Sequence, residues 1–245
     1  MKRFILFIGL LLTINNLSAQ KKVTENTKAN GIEDVYVHLK FANTIVVKNW
    51  NKNEISVEAT VNLDENEHND YFSLKADKIG STYKIASEYG DYFKKYRSYY
   101  SNNCDDKNTK KKNKNYKQSH SNIVNYVIYV PKNMQLKVKS ISGDVETENY
   151  TGILKLDLIS GNITVKKHSK DMHLKTISGD IDIYVSDAKL EAKTLTGGVY
   201  SDLDIDFSKN KKKGYGSSKI VTTIDKGTAF LKLNTISGDI YLRKI

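Results

Sequence analysis

The sequence predicts an all-β protein, more specifically a parallel β-solenoid whose coils are about 18 residues long. Three observations predict this class. A short phrase of the type Ile-Ser-Gly-Asp recurs five times, its copies are evenly spaced, and apolar residues alternate with polar ones around it. A helical interpretation fails, because a glycine in every copy and runs of β-branched residues both oppose helix formation.

The repeat is defined by the glycine of each phrase, which we predict to form a structural corner. The five corner glycines are Gly143, Gly161, Gly179, Gly197 and Gly238. The first four lie 18 residues apart, and the last follows after 41 residues, an interval that fits two units with a lysine-rich insertion between them. Such a period is typical of architectures in which each unit buries its apolar face by stacking on its neighbour.

Four positions of the aligned units are apolar in every copy: seven, five and two residues before the glycine, and two residues after it. The positions between them are mostly Lys, Asp, Thr or Ser, which is the alternation of strands that bury one face. In the copy KTISGDIDIYV we expect Ile177, Ile181 and Ile183 to point inward, with the Ser-Gly-Asp tripeptide at a corner. An antiparallel sandwich of hairpins is the alternative, but even spacing favours a solenoid because it keeps like columns in register.

The position after each glycine is a candidate binding array, occupied in chain order by Asp144, Asn162, Asp180, Gly198 and Asp239. A calcium array would require a carboxylate on every coil or several converging oxygen ligands. Asn and Gly instead interrupt the Asp residues, an arrangement that separates like charges by two coils. We therefore interpret the position as turn chemistry, in which Asp or Asn bonds nearby main-chain amides.

Residues 1–19 have the pattern of a secretory signal peptide. Lys2 and Arg3 form a positive start, a short apolar run follows, and small residues up to Ala19 offer a cleavage site. The apolar run is shorter than the ~20 residues that a membrane span needs. The sequence therefore predicts an exported protein without a transmembrane segment, in which residues 20–245 form a single elongated β-repeat domain.

Within this domain the sequence predicts two regions of different regularity. Residues 31–130 hold irregular N-terminal strands with a basic loop at 91–122, and residues 131–245 hold regular coils with a basic insertion near 207–219. The loop contains nine Lys or Arg against three Asp, and the insertion contains five Lys and no acid. The net charge of +11 is therefore expected to lie mainly in two segments on a nearly neutral body.

These two basic segments are the candidate binding elements. In an exported protein, basic residues mixed with aromatic ones favour anionic polysaccharide or lipid head groups over nucleic acid. A solvated insertion without a partner is the alternative. The candidate anion-binding residues are Lys110, Lys111, Lys112, Lys114, Lys211, Lys212 and Lys213.

Three segments resemble a known family: NTIVVKNWNKNEISVEA near the start, YVIYVPKNMQLKVKSISGDV in the middle, and the recurring ISGD or ISGN phrases. Through them, most of residues 31–245 resembles bacterial exported proteins of the putative-adhesin, β-strand-repeat type, whose function is not established. The resemblance implies a β-solenoid-like fold and a place in the periplasm or at the cell surface of a bacterium. It supplies no catalytic residue, and the two lysine-rich insertions depart from the family pattern.

Few residues suggest catalysis. Asp202, Asp204 and Asp206 alternate with apolar residues, so on a strand their carboxylates would share one face and could act as acid and base in a carbohydrate-active enzyme. The lysines that follow favour instead an acidic face balanced by a basic loop. The sequence holds no metal-ligand spacing or phosphate-binding motif, so we expect no cofactor, and the single cysteine, Cys104, excludes an internal disulfide.

The segment SGDIYLRKI at the end of the sequence has the pattern of a coil, which would leave an unpaired sheet edge. Arg243 and Lys244 would guard this edge, or the edge would stack end to end on another copy. Taken together, the sequence favours a non-enzymatic structural or adhesive module that binds anionic envelope or extracellular material. A carbohydrate-active enzyme and a self-assembling envelope scaffold are the alternatives.

Overall fold

The computed structural model describes residues 20–96, 122–168, 170–205 and 218–245. The predicted signal peptide, Cys104 and most of the two basic segments lie outside these residues. Almost all regular structure in the described part is β-strand, so the prediction of an all-β protein is confirmed.

The described chain contains 18 strands, a 3-10 turn at Asn69–Tyr71 and a four-residue helix α1 at Tyr92–Lys95. The strands before the repeat are β1 Lys21–Lys28, β2 Asp34–Leu39, β3 Thr44–Trp50, β4 Glu54–Leu63, β5 Ser73–Ile79, β6 Thr82–Glu88 and β7 Asn122–Pro131. The strands of the repeat are β8 Gln135–Ser140, β9 Asp144–Thr147, β10 Leu154–Leu158, β11 Ile163–Val165, β12 Met172–Lys175, β13 Ile181–Val185, β14 Ala188–Thr194, β15 Val199–Ser201, β16 Ser218–Ile224, β17 Ala229–Asn234 and β18 Ile240–Lys244.

The strands form two nine-stranded sheets. The first sheet has the order β1-β4-β7-β3-β9-β11-β13-β18-β15, and the second has the order β16-β14-β17-β12-β10-β8-β2-β6-β5. Pairings in the centre are parallel, whereas β1, β4, β5 and β16 pair antiparallel with their neighbours. Because both sheets are mixed, a purely parallel solenoid does not describe the whole molecule.

The centre of the molecule is a stack of coils, each made of a strand in the second sheet, a corner and a strand in the first sheet. Leu154 of β10 pairs with Leu136 on one side and Met172 on the other, so residues 18 positions apart lie side by side. Parallel strands in register place such equivalent side chains about 4.8 Å apart. Each repeat of the sequence therefore corresponds to one layer of the stack.

The N-terminal strands are more regular than the sequence predicts. β2 and β3 form a coil in register with β8 and β9. β6 and β7 form another coil on the outer side of β2 and β3, and residues 97–121 come between its two strands. The prediction of irregular strands is wrong for these four, which lack the Ser-Gly phrase and include a coil interrupted by the basic segment.

The last coil of the chain is an internal coil of the stack. β17 lies between β12 and β14, and β18 lies between β13 and β15. The chain therefore forms the outer coil β14–β15 first and then adds β16 antiparallel to β14. The coil β17–β18 comes last and lies between the coils β12–β13 and β14–β15. The interval of 41 residues is this detour, rather than two units in line.

The expected unpaired edge at the end of the sequence is therefore wrong. β18 has a partner strand on each side, and Arg243 forms two 2.7 Å hydrogen bonds to the carboxylate of Asp182 on the neighbouring strand β13. This ion pair stabilises the inserted coil. End-to-end association was suggested by an unpaired edge at β18, and β18 has no unpaired edge.

The core lies between the two sheets and forms one continuous apolar cluster. The columns seven and five residues before the corner glycine are buried, as are Ile181 and Ile183 after it. Ile177, two residues before the glycine, was expected to point inward but is 39% exposed. Strand alternation gives the reason: Thr176, three residues before the glycine, is buried, so the next side chain turns outward.

Hydrogen bonds between neighbouring coils hold the corners. The main-chain N–H groups of Asn162 and Asp180 donate to Asp144 Oδ1 and Asn162 Oδ1 at 2.8 and 2.9 Å. Those of Asp239 and Gly198 donate to Asp180 Oδ1 and Asp239 Oδ1 at 2.7 and 2.8 Å. The interpretation as turn chemistry is thus confirmed, but the expected separation of like charges is wrong because Asp180 and Asp239 stand on neighbouring coils.

The corner glycines, the predicted structural sites, all fall between the two strands of their coils. Gly161 and Gly179 have φ values of +137° and +150°, a region that side chains other than glycine rarely adopt. A Cβ at Gly161 would also overlap the carbonyl oxygen of Gly143 in the next coil. Two other corner carbonyl groups accept side-chain hydrogen bonds: Thr176 Oγ1 donates to Gly161 O at 3.0 Å, and Thr235 Oγ1 donates to Gly179 O at 2.9 Å.

We predict that Gly161→Ala lowers the free energy of unfolding by about 1–3 kcal/mol or more, because it adds backbone strain to a steric overlap. Urea titration followed by circular dichroism measures the change. Gly80→Ala is the matched control, since Gly80 also has a positive φ, +62°, but has nothing within 4 Å of an added Cβ. Equal losses in the two variants would contradict the role of close corner stacking.

Candidate functional site

The second sheet exposes a broad outer face, formed by side chains that alternate with its buried columns. Each repeat coil contributes three outward residues, at six, four and two positions before the corner glycine. In stacking order the triplets are Lys137-Lys139-Ile141, Lys155-Asp157-Ile159, His173-Lys175-Ile177, Lys232-Asn234-Ile236 and Glu191-Lys193-Leu195. We call this surface the outward face, its first two columns the lysine columns, and its third the aliphatic column.

The lysine columns are strongly basic, with six lysines and one histidine against two carboxylates. Asp157 lies 3.8 Å from Lys139 Nζ and 3.5 Å from Lys175 Nζ, and Glu191 lies 2.9 Å from Lys219 Nζ of β16. Because lysines outnumber the carboxylates they pair with, the face keeps a positive charge. The charge of the protein is therefore not confined to the two basic segments.

His173 lies within the first lysine column, flanked by Lys155 and Lys232 on the neighbouring strands. Partial burial, and then the positive charge of Lys232, hold the pKa of His173 below its usual range, while Asp157 acts in the opposite direction. The imidazole is therefore neutral at neutral pH and gains a proton only in acid. Its protonation would add one more cation to the column.

The aliphatic column borders the lysine columns along the corner of the stack. Its members are partly exposed: Ile141 36%, Ile159 51%, Ile177 39%, Ile236 42% and Leu195 46%. Main-chain hydrogen bonds continue through the corner, so the N–H of Ser178 donates to Ile159 O at 2.9 Å and that of Ser237 donates to Ile177 O at 2.8 Å. These bonds hold the five side chains in one row.

The outer face of the first sheet has a different character. Glu146 and Glu148 line a shallow groove of about 490 Å³ together with Lys48 and Lys166, and Lys166 pairs with Glu148 at 3.5 Å. Trp50 with Tyr129, and Tyr200 with Tyr241, form stacked aromatic pairs on β3 and β7 and on β15 and β18. The concentration of lysine therefore belongs to the second sheet.

The seven lysines predicted from the sequence to bind anions, at 110–112, 114 and 211–213, lie outside the described residues. Their segments join the stack at opposite ends, one within the coil β6–β7 and the other between β15 and β16. The first segment starts from a well-packed base, where the hydroxyl oxygen of buried Tyr92 lies 2.7 Å from Asp64 Oδ2 and 2.6 Å from Asn122 Oδ1. Burial and Asp64 raise the pKa of this phenol, which keeps it neutral.

The predicted carboxylate row does not lie on one strand. β15 ends at Ser201, so Asp202 and Asp204 follow the strand, and Asp206 lies outside the described residues. Asp202 Oδ1 accepts the main-chain N–H of Lys244 at 2.6 Å, which gives it a structural role at the end of the inserted coil. Within the described residues, no group of His, Cys, Asp and Glu side chains is arranged to hold a metal ion.

The part of the chain that matches a known protein family is close to the part that contains the repeat. Residues 128–243, which run from β7 into β18, match the family Toastrack DUF4097. We call residues 128–243 the Toastrack region because of this match. The resemblance of this sequence to an adhesin-type bacterial family is thereby confirmed. No curated protein matches the chain in sequence.

Solved structures extend the likeness beyond the Toastrack region. A putative cell adhesion protein from Clostridium sporogenes matches 92% of this chain and 100% of its own with a TM-score of 0.57 at 12% identity, which shows a shared fold. A putative adhesin from Bacteroides fragilis matches 93% of this chain and 98% of its own, at 10% identity and a TM-score of 0.31. A putative lipid binding protein from Parabacteroides distasonis matches 91% and 96%, at 10% identity and a TM-score of 0.21. The last two likenesses are too weak to carry an argument.

The outward face of the Toastrack region was missed by the sequence analysis although its signal is present. Lysine stands six residues before the glycine in three of the five copies and four residues before it in three, and LKVKS has both. Counting outward positions by strand alternation would have found both the lysine columns and the exposed aliphatic column.

We predict that the affinity of the protein for a soluble polyanion such as polyphosphate rises as the pH falls from about 7.5 to about 5, because protonated His173 adds a charge to the first lysine column. The pKa of His173 is lowered in the free protein, and a bound anion favours the protonated form, so proton uptake accompanies binding. Titration calorimetry in two buffers of different ionisation enthalpy measures that uptake. The His173→Gln variant should take up less; an unchanged uptake would contradict the assignment.

Proposed function

We propose that the protein is an exported, non-enzymatic surface module that adheres to anionic envelope or extracellular material through the outward face. The observation that carries the proposal is the pair of lysine columns, to which each of the five coils contributes at least one lysine on strands about 4.8 Å apart. Lysine on every coil of an extended face favours an extended polyanion over a small ligand, which binds in a concave pocket.

The solenoid-like stack supports this function mechanically. Its core is continuous through all coils, so the outward residues are attached to a rigid backbone rather than to loops. The lysines at 110–112, 114 and 211–213 would add long-range attraction, because their segments join the stack at opposite ends. The predicted signal peptide and the adhesion-type fold relative both support a place in the periplasm or at the cell surface.

An enzymatic function has less support. The proposed acid–base pair, Asp202 and Asp204, lies beyond the end of β15, and the main-chain N–H of Lys244 donates a hydrogen bond to Asp202.

No helix among the described residues is long and apolar enough to cross a membrane.

A charge-reversal experiment tests the role of the outward face. In the triple variant Lys137→Glu, Lys155→Glu and Lys232→Glu we expect about a tenfold or greater loss of affinity for polyphosphate, since each lysine near an anionic surface contributes on the order of 1 kcal/mol. The wild-type affinity should fall with added salt because exposed charges are screened. Fluorescence anisotropy of labelled polyphosphate measures both effects.

The matched control makes the same charge change on the first sheet, with Lys22→Glu, Lys28→Glu and Lys48→Glu on β1 and β3. We expect a smaller loss in this variant. If both triple variants lost the same affinity for polyphosphate, the loss would follow from the change in net charge alone. That result would reject the outward face as the binding site. Neutralising Lys110, Lys111, Lys112 and Lys114 tests the basic segment separately.

A further inference from the structure

Anion binding alone leaves the aliphatic column unexplained. Five aliphatic side chains stand in one exposed row, and four intervals of about 4.8 Å give the row a length of about 19 Å from Ile141 to Leu195. Single exposed apolar residues are common on soluble proteins, but a contiguous row is typical of an interaction site.

The fold does not require aliphatic residues at this position. Lys40 occupies it in the coil β2–β3, because Lys40 follows Leu39 as Ile141 follows its paired residue Ser140. Lys40 Nζ forms an ion pair with Glu88 at 3.2 Å, so a charged side chain is accommodated there. The main-chain hydrogen bonds at the base of the column do not depend on the side chain. The aliphatic character of this position in all five repeat coils therefore points to a partner.

We propose that the outward face docks on an anionic lipid bilayer, with the aliphatic column inserted at the boundary between head groups and acyl chains. This inference rests on the anion binding proposed above and gives it a lipid form. Lys139, Lys175 and Lys193 each precede a member of the aliphatic column by two positions, so their Cα atoms lie about 7 Å from those of the apolar row and their side chains leave the same side of the sheet. An apolar strip beside a cationic strip is the arrangement of elements that lie in the interface of anionic membranes.

Two other occupants satisfy only part of this surface. A soluble polyanion would pair with the lysines but leave the aliphatic column in water. A second copy docked through a two-fold axis would set the same patch against itself, and like charges of the lysine columns would then face each other. A bilayer with phosphate head groups provides acceptors for the lysines and an apolar layer for the column.

The test separates lipid insertion from anion binding. The variant Ile159→Ser, Ile177→Ser and Ile236→Ser removes the middle of the aliphatic column without a change of charge. We expect its affinity for vesicles of phosphatidylglycerol and phosphatidylcholine to fall by about tenfold or more, since each buried aliphatic side chain contributes strongly to transfer from water. Its affinity for polyphosphate should stay at the wild-type value. Vesicle sedimentation and anisotropy measure the two affinities.

Matched controls fix the interpretation. Ile79→Ser, Ile123→Ser and Ile245→Ser change three exposed aliphatic residues outside the column, and vesicle binding should then be unchanged. Wild-type vesicle binding by the column variant would overturn the inference and leave anion binding intact. The charge-reversal variant of Lys137, Lys155 and Lys232 tests the proposed function separately. If it binds both polyphosphate and vesicles as tightly as the wild type, the proposed function is rejected.

A second measurement stays informative if the serine variants fold poorly. Trp50 is the single tryptophan of the chain and can be replaced by phenylalanine, so that Ile177→Trp places the only indole in the aliphatic column. On addition of phosphatidylglycerol vesicles we expect a blue shift of its emission and quenching by brominated lipid. An emission spectrum that does not move while the protein is bound to the vesicles would contradict insertion.

Discussion

The whole structure depends on how closely the corners of neighbouring coils approach one another. At each corner the main chain of one coil rests on the carbonyl group of the next, at a distance that leaves no room for a Cβ at Gly161 or Gly179. This approach allows Asp144 and Asn162 to accept N–H groups from the following coil and lets Thr176 bond the carbonyl oxygen below it. Because main-chain groups at the turn, such as the N–H of Gly161 and that of Gly179, find partners in the adjacent layer, the chain can turn sharply without leaving them unsatisfied.

The same alternation that builds the core also builds the surface. In each strand of the second sheet, buried residues such as Leu136 and Val138 alternate with outward lysines such as Lys137 and Lys139. Because neighbouring coils are in register, equivalent residues lie side by side and form long columns. A substitution in one repeat unit therefore changes one member of a continuous column. The core and the outward face are therefore encoded in the same five-residue segment, on opposite sides of the strand.

The sequence predicted the class of the fold and most of its core, because a fixed period, two columns buried in every coil and a third buried in all but the coil of Val199 are local signals. Ile177 is exposed although it is apolar, because its neighbour Thr176 is buried and successive side chains of an extended chain point to opposite sides. The order of coils at both ends was not predictable from spacing. β17 pairs with both β12 and β14, and contacts between strands so far apart in the sequence leave no periodic signal. The outward lysines were visible in the sequence, and the predicted stacking already implied columns, but the order of the coils within those columns comes from the structure.

The internal place of the last coil affects how the stack can assemble. Strands β17 and β18 fill a slot whose two walls, β12–β13 and β14–β15, both precede them in the chain. A chain that folds from its N-terminus as it emerges cannot close its far end in sequence order, because the outer coil acquires its parallel partner only after the final residues have been delivered. Such non-local pairing slows folding and favours a late, concerted closing step. For a chain that crosses a membrane before it folds, that delay would keep the outer coil without its parallel partner until β17 and β18 have crossed.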